Sequence, residues 1–238
     1  MKSRCKSISG QIALMLVIGL ILVYYPVRPV LALNISDAKL QEVLIAVKNQ
    51  ENSLTTFIAG FKQIKKTELL VEPLISAGKI FFSRSGKIRV QVQSPDPFEV
   101  LLANKKLVIF DPVSNRVKTK YIGSKDAFMQ KYFGFGLSLS QLKERYKISA
   151  IFDDQTGSYI IKLYPKKKSV SKIIQLVEIT VKKPLWLPEK LFFLEKKGDS
   201  TELQLQYEAI NEDLPQKTFD IKLPLKEIEI DGIGVDGR

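Results

Sequence analysis

Apolar and polar side chains alternate most regularly along Ala77–Ile122. Turn signals interrupt the alternation, among them Ser85-Gly86, Pro95-Asp96-Pro97 and Asn104-Lys105. The pattern is typical of an antiparallel meander that sends apolar side chains to one face and polar ones to the other. It predicts four short strands, which are Lys79–Ser83, Lys87–Ser94, Phe98–Ala103 and Lys106–Phe110.

The regions around the meander add one helix and further strands. Leu40, Val43, Leu44 and Val47 recur at helical spacing after the potential cap Ser36, which predicts a helix within residues 34–50. The remaining strands are predicted at Leu54–Lys66, Lys147–Asp153, Ser158–Tyr164, Ile173–Val181, Lys190–Glu195, Glu202–Ala209, Phe219–Leu223 and Ile228–Ile230. Without a repeat or a low-complexity linker, we expect one mainly β (α+β) domain of about ten or eleven antiparallel strands.

The segment Ser124–Tyr146 is the one long stretch that does not read as β-structure. It predicts a short helix, a glycine-rich break and a second helix over Ser140–Tyr146. Its apolar and aromatic side chains suit a lid over a cavity, but a helical pair packed permanently on the sheet would show the same pattern. The lid residues are predicted to be Phe128, Met129, Tyr132, Phe133 and Phe135.

The N-terminus has the features of an export signal. Lys2, Arg4 and Lys6 precede the apolar run Ile12–Tyr25, and Val30-Leu31-Ala32 places small residues before a cleavage point. We expect cleavage after Ala32, which leaves a periplasmic protein of residues 33–238. The alternative is a retained anchor, although a run of 14 residues is short when a span needs about 20.

The chain is basic, with a formal net charge of +12 over 238 residues. Loss of the four basic residues before residue 33 lowers this charge to +8. A positive surface attracts anionic partners such as lipid headgroups, and a well-solvated surface would account for it equally. Because the chain is predicted to be exported and carries no nucleic-acid-reading motif, we expect no nucleic-acid partner.

The residue types that usually carry catalysis are scarce. The chain has no histidine, and its one cysteine, Cys5, lies in the predicted signal. A His-based triad, a thiol nucleophile and a thiolate zinc site are therefore excluded from the mature protein. Asp153 and Asp154 are adjacent in a turn and would point apart, and Gly134 and Gly136 lack the surrounding phosphate-loop pattern. The sequence predicts no enzyme, no metal site and no cofactor.

The remaining signal is a large apolar surface on the predicted sheet. If the sheet curls, its concave face forms a hollow that could hold an apolar ligand; the alternative is a filled core. The candidate ligand-binding side chains are Phe57, Phe61, Ile80, Phe82, Ile88, Val90, Val92, Val100, Leu102, Ile109, Leu203 and Leu205.

Several short motifs follow the first helix in a characteristic order. They are Leu54-x-x-Phe57-x-x-x-Phe61-x-Gln63, Gly78-x-Ile80-x-Phe82-x-Arg84, Gly86-Lys87-Ile88-Arg89, Pro95, Val100-Leu101-Leu102, Asn104-Lys105 and Phe110-Asp111-Pro112. Near the end come Lys197-Gly198-Asp199, Asn211 and Phe219-x-x-x-x-Pro224. In this order and spacing, and after an export signal, the motifs resemble the LolA family of periplasmic lipoprotein carriers.

The resemblance implies an open antiparallel half-barrel with a helical lid over an apolar cavity. It implies a monomeric carrier that accepts acylated lipoproteins from an inner-membrane transporter and passes them to an outer-membrane receptor. Arg84 matches an arginine that pins the lid to the barrel in that family, and a guanidinium can donate several hydrogen bonds to helix carbonyls. Ser85 replaces the proline expected after it, and the expected tryptophan nearby is absent.

Two other functions fit the same fold. One is a carrier of a different lipid, and the other is a sensor domain that reports envelope stress. Such sensors usually carry a second domain, whereas Arg238 follows the last predicted strand by only a few residues. This favours the carrier.

Overall fold

The computed structural model describes residues 32–121 and 137–221, which belong to one compact unit. They form twelve strands: β1 (Ala32–Asn34), β2 (Thr56–Lys66), β3 (Leu74–Ser83), β4 (Lys87–Ser94), β5 (Phe98–Ala103), β6 (Lys106–Asp111), β7 (Arg116–Tyr121), β8 (Tyr146–Asp153), β9 (Ser158–Pro165), β10 (Ile174–Lys182), β11 (Pro188–Glu195) and β12 (Ser200–Ile210). The helices are α1 (Asp37–Ser53), α2 (Leu139–Arg145), α3 (Lys168–Ser171) and the 3-10 helix Gln216–Phe219.

All twelve strands belong to one antiparallel sheet, in the order β1-β8-β9-β10-β11-β12-β2-β3-β4-β5-β6-β7. Neighbouring strands of the sheet are also consecutive in sequence, except that β12 pairs with β2 and β1 pairs with β8. Within the described residues β1 and β7 are the two edges and do not pair with each other, so the sheet is open. The predicted mainly β fold with an unclosed antiparallel sheet is confirmed.

Helix α1 begins where the sequence pattern placed it. Ser36 is its N-cap, and the Ser36 hydroxyl accepts a hydrogen bond from the Lys39 amide at 3.3 Å. Leu40, Val43 and Leu44 form its buried stripe. In the described ranges 32–121 and 137–221, no helix has both the length and the apolar character needed to cross a bilayer.

The turn between β5 and β6 shows how local chemistry sets the register of the meander. Asn104 and Lys105 both have positive φ angles, 52° and 63°, as a two-residue type I′ hairpin turn requires. Asparagine tolerates this left-handed conformation better than most residues. The turn brings Ala103 opposite Lys106, and the pairing from Leu102↔Leu107 onward follows.

The strand predicted at Phe219–Leu223 is wrong over its described residues, Phe219–Ile221, and the rest of it lies outside the described residues. Phe219 instead ends the 3-10 helix, which follows Pro215 and is closed by the Thr218 amide donating to the Pro215 carbonyl at 2.9 Å. β12 already has β11 and β2 as neighbours, so the returning chain finds no free edge beside it. The predicted strand Ile228–Ile230 lies outside the described residues.

Two strands were not among those predicted, namely β1 and β7. β1 is three residues long and lies at the point of predicted signal cleavage, so its sequence carries no alternation to detect. β7 presents Arg116, Lys118 and Lys120 on one face and buries only Val117 on the other. A basic run of this kind forms a strand because β6 supplies a partner edge.

Two clusters hold most of the buried apolar side chains among the described residues. In the first, α1 packs on β8, β9 and β10 through Leu44, Ala150 and Ile161, among other residues. The second lies on β2 to β5 and is built around Phe57, Phe82 and other side chains. One helix therefore covers only part of a sheet that is twelve strands wide.

Gly78 and Gly60 provide a matched test of packing in the sheet. A Cβ atom at Gly78 would lie 1.9 Å from the Gln91 carbonyl oxygen and 2.9 Å from the Phe61 ring, whereas at Gly60 the nearest atom is a Glu208 carboxylate oxygen at 3.5 Å. We expect Gly78→Ala to lower the free energy of unfolding by about 1–3 kcal/mol through overpacking. Gly60→Ala should change it by no more than about 0.5 kcal/mol. Urea denaturation measures the free energy of unfolding of both variants, and equal values for the two would contradict this packing.

Candidate functional site

The pairing register places all twelve predicted ligand-binding side chains on the same face of the sheet. Directly paired residues of antiparallel strands project to the same side, and alternate residues along one strand do so too. One row of pairs runs Leu205↔Phe61, Phe61↔Gly78 and Gly78↔Val92. The neighbouring rows contain the other candidates: Phe57, Ile80, Phe82, Ile88, Val90, Val100, Leu102, Ile109 and Leu203.

The same face continues across the half of the sheet that carries α1. Leu203 pairs with Leu191, Leu191 with Ile179, and Ile179 with Ile161. Leu191 and Ile179 were not among the predicted candidates. Their strands mix apolar residues on both faces, so the sequence pattern alone does not show which side chains share a face. We call the whole surface, from Ala150 to Ile109, the apolar face.

Aromatic side chains form the centre of the second cluster. The rings of Phe57 and Phe82 stack with centroids 5.0 Å apart, and Tyr207 meets Phe57 edge-on at 5.6 Å. The Tyr207 hydroxyl donates to the Pro188 carbonyl at 3.0 Å. Burial, and to a lesser extent the charge of Glu189, raise the pKa of Tyr207 well above its usual range, so the phenol stays neutral.

The apolar face ends at the β6–β7 edge. Ile109 is 38% exposed, and its β7 partner on the same face is Lys118, while Leu107 pairs with Lys120. On the opposite face, Phe110 and Val117 are buried. At this edge the better-covered side of the sheet is therefore the one that faces away from α1.

The loop between β10 and β11 lies over the apolar face. Leu187 is buried in the second cluster, and Trp186 packs against the first, stacking on Tyr159 with ring centroids 5.5 Å apart. Trp186 has a positive φ of 54°, which a bulky residue adopts only when its surroundings hold it there. This loop joins the two clusters, and no sequence signal pointed to it.

Helix α2 is the described part of the predicted helical insertion. The second predicted helix, over Ser140–Tyr146, is observed as Leu139–Arg145, and it begins with a capping box between Ser138 and Gln141. Leu139 and Leu142 pack against the first cluster. The predicted lid residues Phe128, Met129, Tyr132, Phe133 and Phe135 lie outside the described residues, so the lid remains a prediction.

Arg84 connects the sheet to the end of α1. Its Nε donates to the Leu54 carbonyl at 2.6 Å, and its Nη2 donates to the Glu51 carbonyl. Its backbone amide donates to the Thr55 carbonyl at 2.7 Å. A helix leaves its last carbonyls without internal partners and its C-terminal end is negative, so a guanidinium fits this position. These contacts are made to the end of α1, and the pinning of the predicted lid by Arg84 stays a prediction.

Asp153, the first of the two adjacent aspartates, shapes the β8–β9 turn. The Asp153 carboxylate accepts from the Gln155 amide at 3.1 Å and from the Thr156 hydroxyl at 2.8 Å. These hydrogen bonds, the one from Thr156 most of all, lower the pKa of Asp153, and they shape the turn in the way short polar side chains usually do. In the described part of the chain, no three His, Cys, Asp or Glu side chains are grouped to hold a metal ion.

The fold and the apolar face define a class of β-proteins built as an open antiparallel half-barrel with a helix against one face of the sheet. The sequence model of the family described as "Outer membrane lipoprotein carrier protein LolA" matches residues 52–222. The chain belongs to the LolA family. No curated protein is significantly similar to it in sequence.

Solved structures show the same fold at low identity. An uncharacterized conserved protein from Thermus thermophilus is 11% identical, with a TM-score of 0.52 over 81% of this chain and 98% of that protein. MucB is 14% identical, with a TM-score of 0.51 over 78% of this chain. The match covers 64% of MucB, less than two thirds of its length.

Arg84→Leu tests how firmly the end of α1 is held. The variant loses both guanidinium hydrogen bonds, and we expect the Leu54 amide, which donates to the Glu51 carbonyl at 3.3 Å, to exchange its hydrogen at least about fivefold faster. Arg84→Lys keeps the charge, but a single ammonium cannot replace the fork, so its exchange rate should be intermediate. An unchanged rate in Arg84→Leu would show that the contacts hold nothing in place.

Proposed function

We propose that the protein is a periplasmic carrier that binds the acyl chains of lipoproteins on its apolar face and transfers them from the inner to the outer membrane. In this proposal residues 1–32 are a cleaved signal peptide, and residues 33–238 are the carrier domain. The observation that carries the proposal is the apolar face itself. It is continuous from β8 to β6, whereas α1, the one long helix among the described residues, packs on β8 to β10.

The apolar face suits an acyl chain for a simple energetic reason. Each methylene removed from water contributes about 0.8 kcal/mol, so a lipid-modified protein needs an apolar partner wherever no membrane is at hand. Rows of paired aliphatic side chains, such as Val90↔Val100, can contact an acyl chain along its length in more than one acyl-chain conformation. They supply affinity and no chemistry, and we propose that the protein is not an enzyme.

A carrier must also release its cargo, and the contacts at the end of α1 suit this requirement. Arg84 holds the helix through two backbone carbonyls, and its side chain is only partly buried. Hydrogen bonds of this kind can be exchanged for water at modest cost. We propose that Arg84 sets how readily the helical cover separates from the sheet during loading and release.

The proposed partners are acylated lipoproteins, an inner-membrane transporter that releases them and an outer-membrane receptor that accepts them. The family description supports this assignment, since it names an outer membrane lipoprotein carrier. The protein is proposed to act as a monomer, without a cofactor or a metal ion.

Leu205→Glu tests the role of the apolar face, with Gln206→Glu as its matched control. Leu205 pairs with Phe61 on the apolar face, and Gln206 is the next residue of the same strand on the opposite face. A buried carboxylate opposes an apolar ligand, so Leu205→Glu should weaken binding of an acyl-chain fluorescent probe at least about tenfold. Gln206→Glu should bind as the wild type does. Circular dichroism establishes that both variants are folded, and equal affinities would contradict the proposed site.

The cargo is tested by native mass spectrometry of the protein purified from its own host. A lipoprotein bound one-to-one through its acyl groups is the expected result. A bound phospholipid or glycolipid would support ligand binding by the apolar face but would contradict the proposal that lipoproteins are the cargo. A ligand-free protein that also fails to bind the acyl probe would overturn the carrier function.

A further inference from the structure

One end of the sheet carries several turns that lie side by side. The pairs Lys66↔Ser200 and Ile174↔Glu195 place the β2–β3, β9–β10 and β11–β12 connections together. The β6–β7 turn lies at the same end, because Asp111 pairs with Arg116 there. The β4–β5 turn lies between it and the β2–β3 turn, since Ala77 pairs with Ser94 and Val92 with Phe98. We call this set of turns, residues 67–73, 95–97, 111–115, 166–173 and 196–199, the distal end. The β10–β11 loop with Trp186 is at the opposite end of the sheet.

Exposed apolar side chains are concentrated at the distal end. Leu69 is 93% exposed and Val71 is fully exposed, while Val113 and Ile173 are 78% and 63% exposed. These four are among the most exposed large hydrophobic side chains in the described part of the chain. Such side chains are usually scattered singly, and their accumulation on neighbouring turns marks an interaction site.

The β2–β3 turn holds its apolar residues outward by defined contacts. The Leu70 amide donates to the Thr67 carbonyl at 3.3 Å, and the Glu68 amide donates to the Asp199 carboxylate at 3.2 Å. The second bond ties the turn to the β11–β12 turn. Leu69 and Val71 are therefore presented on a turn that is attached to its neighbour.

Lysines surround the exposed apolar residues. Lys167, Lys168 and Lys172 lie in the β9–β10 connection, and Lys196 and Lys197 lie in the β11–β12 turn, all of them exposed. With Lys166 and the strand-end residues Lys66 and Arg116, the basic residues at this end number eight. The carboxylates number six: Glu68, Glu72, Asp96, Asp111 and Asp199 in the turns, and Glu195 just before them. The distal end is therefore both apolar and positively charged.

We propose that the distal end binds the surface of an anionic lipid bilayer, with Leu69 and Val71 inserted at the boundary between headgroups and acyl chains. Protruding apolar residues bordered by lysines are the combination that adsorbs to such surfaces. A second copy of the chain fits less well, because a symmetric contact would place these lysines against each other. The inference goes beyond the proposed carrier function and does not depend on it, since cargo-free vesicles are the probe.

Insertion is measured locally by Val71→Trp, whose indole reports on the lipid around residue 71 alone. With vesicles of phosphatidylglycerol and phosphatidylcholine that contain shallow doxyl-labelled lipid, we expect the added fluorescence to be quenched at least about twofold on binding. Trp186 is the natural tryptophan of the chain, and it lies at the opposite end of the sheet. Its fluorescence in the wild-type protein should not be quenched. Because both readings are local, they do not depend on the N-terminal apolar segment.

Further substitutions in the Val71→Trp variant separate the apolar contribution to membrane binding from the electrostatic one. Leu69→Glu should reduce the quenching at least about fivefold at a given lipid concentration, whereas Ile45→Glu, at an exposed position on α1, should leave it unchanged. Lys196→Glu combined with Lys197→Glu should weaken binding by at least about tenfold, because two attractive charges become repulsive. Vesicles of pure phosphatidylcholine, which carry no net charge, should weaken binding to the same extent, and so should about 0.5 M salt, which screens the charges.

Two results would overturn the inference. One is the absence of doxyl quenching at residue 71 on anionic vesicles in a protein that circular dichroism shows to be folded. The other is a concentration-dependent dimer, seen by sedimentation velocity, that Leu69→Glu dissociates, which would assign the distal end to a second copy. Because the carrier function is read from the acyl probe and from native mass spectrometry, its failure would leave these measurements unaffected.

Discussion

The pairing of β12 with β2 is the contact on which the rest of the structure depends. These two strands are separated by most of the chain, yet they match from Ser200↔Lys66 to Ile210↔Phe57. The pairing joins the strands that precede and follow the helical insertion into one sheet. It also places Leu205 against Phe61 and Tyr207 against Ala59, which makes the apolar face continuous. A shift of one residue in this register would turn either half of that face to the other side.

A wide sheet with one apolar face creates a problem of coverage. α1 covers the apolar face over β8 to β10, and the loop that contains Trp186 and Leu187 covers it where the two clusters meet. Arg84 then fixes the end of α1 against the start of β2 by donating to the Glu51 and Leu54 carbonyls. Asn211 reinforces the same corner, where its side-chain oxygen accepts from the Thr55 amide at 2.7 Å. The cover is thus attached at a corner by polar contacts, while apolar packing holds it elsewhere.

Local patterns predicted much of this arrangement because they act over a few residues. Alternation identified β4 and β5 to the residue, and the spacing of Leu40, Val43 and Leu44 identified α1. The prediction failed at Phe219, which was predicted to start a strand and instead ends a 3-10 helix. A strand needs a partner edge, and the edge beside β12 was already occupied. The choice between strand and turn at that point was therefore made by distant parts of the chain.

The sequence by itself determined the period of each element, the identity of the twelve apolar candidates and the lack of histidine, because these follow from residue type and spacing. Only the tertiary structure decided that the twelve candidates share one face with Leu191 and Ile179, since register depends on which strands pair. It also decided that Leu69 and Val71 remain exposed among lysines. An apolar residue in a turn is buried or exposed according to what packs beside it, and no local pattern contains that information.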